Sequence, residues 1–434
     1  METFPPEIQV EPWTGPPPRA TVRLPGSKSL TNRALILAAV AEGPSLLTGA
    51  LHSEDTQVML DALRALGVSV VFDVGSAEIR VEGTGGVFPV TEADLWVANS
   101  GTTLRFLTAM LATGRGQYRI DGSPRMRERP VADLLAALNR LGGRARSDLG
   151  TGCPPLSLQA SGLDGGHVSV RGDVSSQFLS GLLMALPLAH QPTTVEVQGK
   201  LVSQPYVAMT LAAMEAFGVR VGNRGFRRFD VRPARYHGRH YPIEPDASAA
   251  SYFFALAAIT GGEITVEGLG RSSIQGDLAF VEVLQHMGCS VTAGANRTTV
   301  QGGRLVAVDV DMNAISDTVM TLAVTSLFAD GVTRIRNVAH IRHKETDRIS
   351  ALACELRKLG AQVVELPDGL VIHPPSPAGL QAARIETYQD HRMAMAFALA
   401  GLRVPGITIL DPGCVAKTYP SFWADLEALR ASRT

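Results

Sequence analysis

Cysteine is scarce in this chain. Cys153, Cys289, Cys354 and Cys414 are the only four in 434 residues, and no two form a C-x-x-C pair. Such scatter offers neither a disulfide framework nor a thiolate zinc site, and reduced thiols in a cytoplasm are the simpler expectation. Charge of one sign is lacking too: Lys plus Arg total 40 and Asp plus Glu 41. Nothing in the bulk charge points to nucleic acid or to a membrane surface. No apolar run reaches the roughly 18–20 residues that span a bilayer. The stretch from Met1 to Pro18 is acidic and Pro-rich, unlike a signal peptide or an Arg-rich transit sequence. What remains is a chain with 45% hydrophobic and 19% charged residues, long enough for two or three domains.

The stretch Pro25-Gly26-Ser27-Lys28-Ser29-Leu30-Thr31-Asn32-Arg33 reads as a strand end, a Pro-Gly turn and a Ser-capped helix. A helix N-terminus leaves backbone N–H groups unpaired and carries partial positive charge, which suits an anion. Lys28, Arg33 and the hydroxyls of Ser27, Ser29 and Thr31 crowd that first turn. The alternative is an ordinary capped helix with solvated charges. A P-loop is a poorer reading, because its G-x-x-x-x-G-K-[ST] spacing is absent.

A repeat explains the length. A helix ending in Gly and followed by a strand recurs at Gly67, Gly142, Gly218, Gly288 and Gly360, the mark of a Gly C-cap returning about every 70–76 residues. Polar turns opening apolar helices keep the same period, at Ser27, Ser100, Ser175, Asp246, Ser316-Asp317 and Gln389-Asp390. The unit is therefore helix, strand, loop, helix, strands, six times over. It is too long for a usual solenoid repeat, so two globular domains of three units each are expected. The first helix of each unit is apolar nearly all round, as in Phe178 to Ala185, and such helices are buried. Six polar N-termini facing one cleft would suit a ligand with several negative charges.

Other charged stretches fall between these helices. Arg125, Arg127 and Arg129 make a three-arginine loop that reads as an anion clamp or as solvated charge. Lys344 and Arg348 are four apart, so they share a helix face if the helix has begun. Glu345 between them reads either as a general acid/base tuned by its cationic neighbours or as part of an exposed salt-bridge ladder. Asp317 stands at a helix start, where N-capping is the ordinary role. His391 and Arg392 in a first turn oppose the helix dipole, a local cost that an intervening anion would offset. Lys417 follows a strand, and Cys414 reads as a nucleophile or, more simply, as packing.

Taken in order, Leu24 to Ser29 with Asn32-Arg33, Asn99 to Thr102 with Arg105, Pro124 to Pro130, Asp173 to Phe178, Lys344 to Arg348, Asp390 to Ala394 and Ala416 to Thr418 resemble the signatures of the 5-enolpyruvylshikimate-3-phosphate synthases from end to end. The resemblance implies an α/β protein of two inverse α/β barrel-like domains, each built from three βαβαββ units, with the active site in the cleft between them. It implies one discontinuous domain of residues 1–26 plus 246–434, holding both termini, and a second of residues 27–245. The implied reaction moves the enolpyruvyl group of phosphoenolpyruvate to the 5-hydroxyl of shikimate 3-phosphate, a step toward chorismate and the aromatic amino acids. No cofactor, metal, nucleic acid or membrane is implied, and a monomer is expected.

Matched motif by motif, the resemblance gives shikimate 3-phosphate to Lys28, Ser29, Arg33, Ser175, Ser176, Gln177, Ser203, Tyr206, Asp317 and Lys344, with His340 as a further contact. It gives phosphoenolpyruvate to Lys28, Gly101, Arg129, Gln177, Arg348, Arg392 and Lys417. Acid/base work maps to Asp317 and Glu345, assisted by Lys28. Departures are Ser100 where Ala is common, Phe106 where Pro is common, Gln204 in a slot that is commonly Lys, and His340 where Asn is frequent. Gly101 adds no side chain, so glyphosate is expected to compete with phosphoenolpyruvate. Two other readings are a sister transferase acting on UDP-N-acetylglucosamine and a non-catalytic phosphometabolite-binding protein. The first relies on a Cys-bearing loop near the Arg129 position, which has no counterpart here. The second leaves Asp317 and Glu345 without work.

Overall fold

A computed structural model describes residues 4–431. The chain divides into two compact units, one of residues 1–25 and 244–434, the other of Gly26–Ile243. It passes from one to the other at Pro25/Gly26 and again at Ile243/Glu244.

Among the described residues twelve α-helices alternate with short strands: α1 (Lys28–Val40), α2 (Glu54–Ala65), α3 (Gly101–Leu111), α4 (Ala132–Arg140), α5 (Ser176–Ala185), α6 (Gln204–Ala216), α7 (Ala247–Thr260), α8 (Phe280–His286), α9 (Val319–Thr325), α10 (Arg348–Lys358), α11 (His391–Gly401) and α12 (Phe422–Ala431). The odd-numbered helices open the repeats and form the cores. Every residue of α3 and of α11 is buried, as expected of helices that are apolar all round. In the unit that holds both termini, α7, α9 and α11 pack on one another; in the other, α3 packs on both α1 and α5. By contrast α2, α4 and α10 are amphipathic and show their polar faces to solvent. The five repeat glycines, Gly67, Gly142, Gly218, Gly288 and Gly360, all have φ between 83° and 104°. A side chain there would be strained, so the recurring Gly is a backbone requirement.

One sheet plan recurs. Glu92–Trp96 runs parallel to Arg115–Asp121, which pairs antiparallel with Leu156–Ser161, and Ala145–Ser147 lies outermost. The sheets of Gly166–Arg171 and of Asp309–Asp311 follow the same order. Burial alternates along such strands, as in Glu263–Glu267, so one face meets the helices and the other stays wet. Six open sheets result, and no closed barrel forms among the described residues.

Two sheets borrow their first strand from far away. Arg19–Val22 pairs in parallel with Glu263–Glu267, whereas His240–Pro242 pairs in parallel with Pro44–Thr48. The chain leaves each unit just after a strand that completes a distant repeat of that unit. The sixth repeat is closed by the N-terminal strand Glu7–Gln9 against Thr408–Leu410.

Candidate active site

Three first turns carry most of the candidate residues of the unit Gly26–Ile243, and each is capped by a serine. Ser27, Ser100 and Ser175 accept hydrogen bonds from the backbone N–H of Leu30, Thr103 and Gln177. A neutral cap satisfies one orphan donor and leaves the positive end of the dipole uncompensated. Lys28 opens α1 and is buried beside Asp55 of α2, 3.3 Å away. Arg33, one turn on, is fully enclosed: it donates to Thr210 Oγ1 (2.7 Å), Ser29 O (2.9 Å) and Tyr206 O (3.2 Å). Burial lowers its pKa to about 10 against the opposing pull of Tyr206 and Tyr241. The Phe106 ring lies 5.2 Å from the guanidinium carbon, so the aromatic residue that departs from the common Pro gives Arg33 a cation–π face.

Gly101 starts α3 in close quarters. A Cβ there would lie 2.5 Å from Arg129 Nη2 and 2.8 Å from its Cζ. Arg129 is buried and donates to Asn99 O (3.0 Å) and Asn99 Oδ1 (3.2 Å), and its Nε has no hydrogen-bond partner among the described residues. The three-arginine loop is thus not a clamp of equals. Arg125 pairs with Glu128 (2.7 Å) and Arg127 with Asp121 (2.7 Å), and both are more exposed than Arg129. Gln177, in the first turn of α5 after Ser175 and Ser176, accepts from Arg105 Nη1 (3.1 Å) and donates to Thr102 Oγ1 (3.3 Å). Ser203 precedes α6 in a left-handed conformation (φ 53°), and Tyr206 follows in that helix's first turn.

In the unit holding both termini, carboxylates gather the cations. Asp317 caps nothing: it lies in a 3₁₀ segment, Asn313–Thr318, that precedes α9. Lys344 and Arg348 Nη1 (3.2 Å) reach its Oδ1, and Arg392 Nη2 reaches its Oδ2 (2.8 Å). Burial pushes this carboxyl up, but Arg392, Lys344 and Arg348 outweigh burial and hold it well below the usual carboxylate range. Burial lowers the Lys344 pKa, opposed by Asp317.

The ladder reading of Lys344 and Arg348 fails, because α10 begins only at Arg348, with Asp347 as its cap. Arg348 is 1% exposed and meets Asp390 (2.7 Å) and Glu345 (3.0 Å) as well as Asp317. Burial opposes its charge, but Asp390, Glu345 and Asp317 raise its pKa. His340 is buried, and burial together with Lys344 pushes its pKa down to about 3, so the ring is neutral. His391 is likewise held neutral, by burial and then by Arg392. Lys417 ends the 3₁₀ segment Pro412–Lys417 and is buried.

The Asp390 turn is unusual. Tyr388 and Gln389 both have positive φ, 54° and 55°, and Asp390 N donates to Thr387 O at 2.9 Å. Two successive left-handed residues in a four-residue turn ordinarily call for Asn-Gly, and non-glycine residues there cost about 1–3 kcal/mol each. Asp390 then caps α11 through Arg392 N (2.9 Å).

A profile of the family described as EPSP synthase (3-phosphoshikimate 1-carboxyvinyltransferase) matches residues 14–426. The chain belongs to this family. A 3-phosphoshikimate 1-carboxyvinyltransferase of Nostoc punctiforme is 49% identical over 409 residues, covering 94% of this chain and 95% of the relative. One from Thiobacillus denitrificans is 50% identical over 410 residues, covering 93% and 95%. Among solved structures, an EPSP synthase from Acinetobacter baumannii superposes with a TM-score of 0.80 at 27% identity, covering 97% of both chains.

Several participants escaped the sequence reading. Asp55 is the ion-pair partner of Lys28, Asn99 holds Arg129, and Asp390 holds Arg348. Each partner lies far along the chain, and only the Asp390 cap position left a local signal.

Proposed function

We propose that this chain transfers the enolpyruvyl group of phosphoenolpyruvate to the 5-hydroxyl of shikimate 3-phosphate with release of phosphate, as the names of its relatives imply. The observation that carries the reading is Asp317, an ionised carboxylate inside a ring of Lys344, Arg348 and Arg392. A pure anion-binding protein has no use for a carboxylate that competes with its ligand at those cations. An enzyme that must take a proton from a hydroxyl does.

In this reading Arg129, Arg348, Arg392, Lys417, Lys28, Gly101 and Gln177 hold phosphoenolpyruvate. Lys28, Ser29, Arg33, Ser175, Ser176, Gln177, Ser203, Tyr206, Asp317, His340 and Lys344 hold the sugar phosphate. Glu345 delivers a proton to C3 of phosphoenolpyruvate, the 5-hydroxyl oxygen attacks C2, and Asp317 takes the hydroxyl proton. The tetrahedral adduct loses phosphate as a proton leaves C3 again, and the cations stabilise the departing anion. Asp317 is a feeble base while three cations face it alone. An incoming carboxylate or phosphate shares Arg348 and Arg392, lifts the Asp317 pKa toward a working value and so couples substrate arrival to base strength. All four cysteines are free thiols, which supports a reducing compartment, the cytoplasm.

Phosphate release from purified protein tests the reading, with shikimate 3-phosphate or UDP-N-acetylglucosamine as acceptor. Release with the first alone is expected. Release with the nucleotide sugar alone would overturn the assignment of acceptor.

A further inference from the structure

Glu355 is a completely buried carboxylate that the reaction above does not use. It lies in α10, two helical turns after Arg348 and therefore on the same face. Its Oε2 accepts from Glu386 N (3.1 Å) and its Oε1 from the Tyr388 hydroxyl (2.7 Å). Lys358 Nζ, 2.6 Å from Oε2, completes its shell and also donates to Arg384 O (3.3 Å). One helix thus grips the segment 384–390 at both ends, with Arg348 on Asp390 and Glu355 on Glu386 and Tyr388. The gripped segment contains the two consecutive left-handed residues, Tyr388 and Gln389. Burial and the Glu355 carboxylate hold the phenol proton on Tyr388, so the hydroxyl remains a donor.

We infer that Glu355, acting through Tyr388, is a positioning residue that sets where Asp390 and Arg392 stand and thereby how Arg348 and Arg392 meet phosphoenolpyruvate. This rests on the reading of those two arginines given above. The turn has no glycine to make its shape easy, so its shape must be imposed from outside. Glu355 is the buried group that does so. A relaxed turn would move the Asp390 cap, and with it both the first residues of α11 and the carboxylate on Arg348.

The experiment compares wild type with Glu355→Ala, Tyr388→Phe and Glu355→Gln. A glutamine can still accept from Glu386 N and donate to the tyrosine oxygen, which reverses its own role. For Glu355→Ala and Tyr388→Phe, the KM for phosphoenolpyruvate should rise, by about tenfold and about threefold. The dissociation constant of shikimate 3-phosphate alone should stay within about twofold, and Glu355→Gln should restore most of the loss. Tyr388→Phe, which keeps the ring and loses one hydroxyl, guards against a misfolded alanine variant. A second readout needs no turnover: in arginine-labelled protein, the Arg348 Nε–H resonance, bonded to Asp390, should shift in both variants and return in Glu355→Gln. A lowered Tm with unchanged KM and an unmoved Arg348 signal would overturn the inference. Wild type inert toward both substrates would overturn the functional reading instead, and the Arg348 signal would still decide the positioning.

Discussion

The two units compensate their cations in opposite ways. In the Gly26–Ile243 unit the caps of α1, α3 and α5 are serines, and Arg33, Arg105 and Arg129 are bonded to carbonyls, amides and a hydroxyl. Lys28 differs, with the Asp55 carboxylate beside it. In the other unit the caps of α7 and α11 are Asp246 and Asp390, and Asp317, Glu345 and Asp390 gather Lys344, Arg348 and Arg392. Cations satisfied by neutral acceptors keep their charge available for a ligand. Cations satisfied by carboxylates build a field in which protons can be moved. The difference separates holding anions from acid/base work.

The sharpest way to break this contrast is Asp317→Ala. Turnover should fall by at least about 100-fold, the usual scale for a lost acid/base group, while phosphoenolpyruvate binds no more weakly because three cations lose a competitor. Single-turnover kinetics with a separate binding measurement checks this; near-normal turnover would return Asp317 to a structural role. Gly101→Ala attacks the neutral half. Its methyl would displace Arg129 from Asn99 and should raise the KM for phosphoenolpyruvate about tenfold, with kcat changed far less. Unchanged KM would mean that Arg129 gives way without loss.

The smallest effect concerns pH. His340 titrates near 6.5 when unfolded but at about 3 when folded. The unfolded chain therefore binds the extra proton first, and stability falls as pH drops from about 6.5 toward 3. His391 acts in the same direction. Asp317 adds a further loss below the ordinary carboxylate value, because its folded pKa is depressed. His340→Asn should flatten the part of the decline that begins near pH 6.5, read by urea unfolding across pH. A decline identical to wild type would show that His340 is already solvated.

What the sequence made legible was local. Ser27, Ser100, Ser175, Asp246 and Asp390 cap as read, and the five repeat glycines take left-handed backbone, because a cap or a C-terminal turn is written within a few residues. The α/β repeat followed from the same signals. Partners distant in sequence were not legible: Arg348 meets Asp390 at a separation of 42 residues and Arg129 meets Asn99 at 30, and no local pattern encodes either. The ordinary capping role of Asp317 fails for the same reason, since its partners Lys344, Arg348 and Arg392 lie 27 to 75 residues further along the chain. Residue type alone could not rank Arg125, Arg127 and Arg129, because burial separates them.

The exchanged first strands carry a consequence for synthesis on the ribosome. Residues 26–243 hold every strand of their own sheets, so that unit can close as soon as Ile243 has emerged. The opposite holds for two early strands of the other unit. Arg19–Val22 must wait for Glu263–Glu267, and Glu7–Gln9 for Thr408–Leu410. At roughly 5–20 residues per second, those waits are on the order of tens of seconds. Throughout them the nascent N-terminus is an unpaired edge, tethered to a finished neighbour and open to other chains.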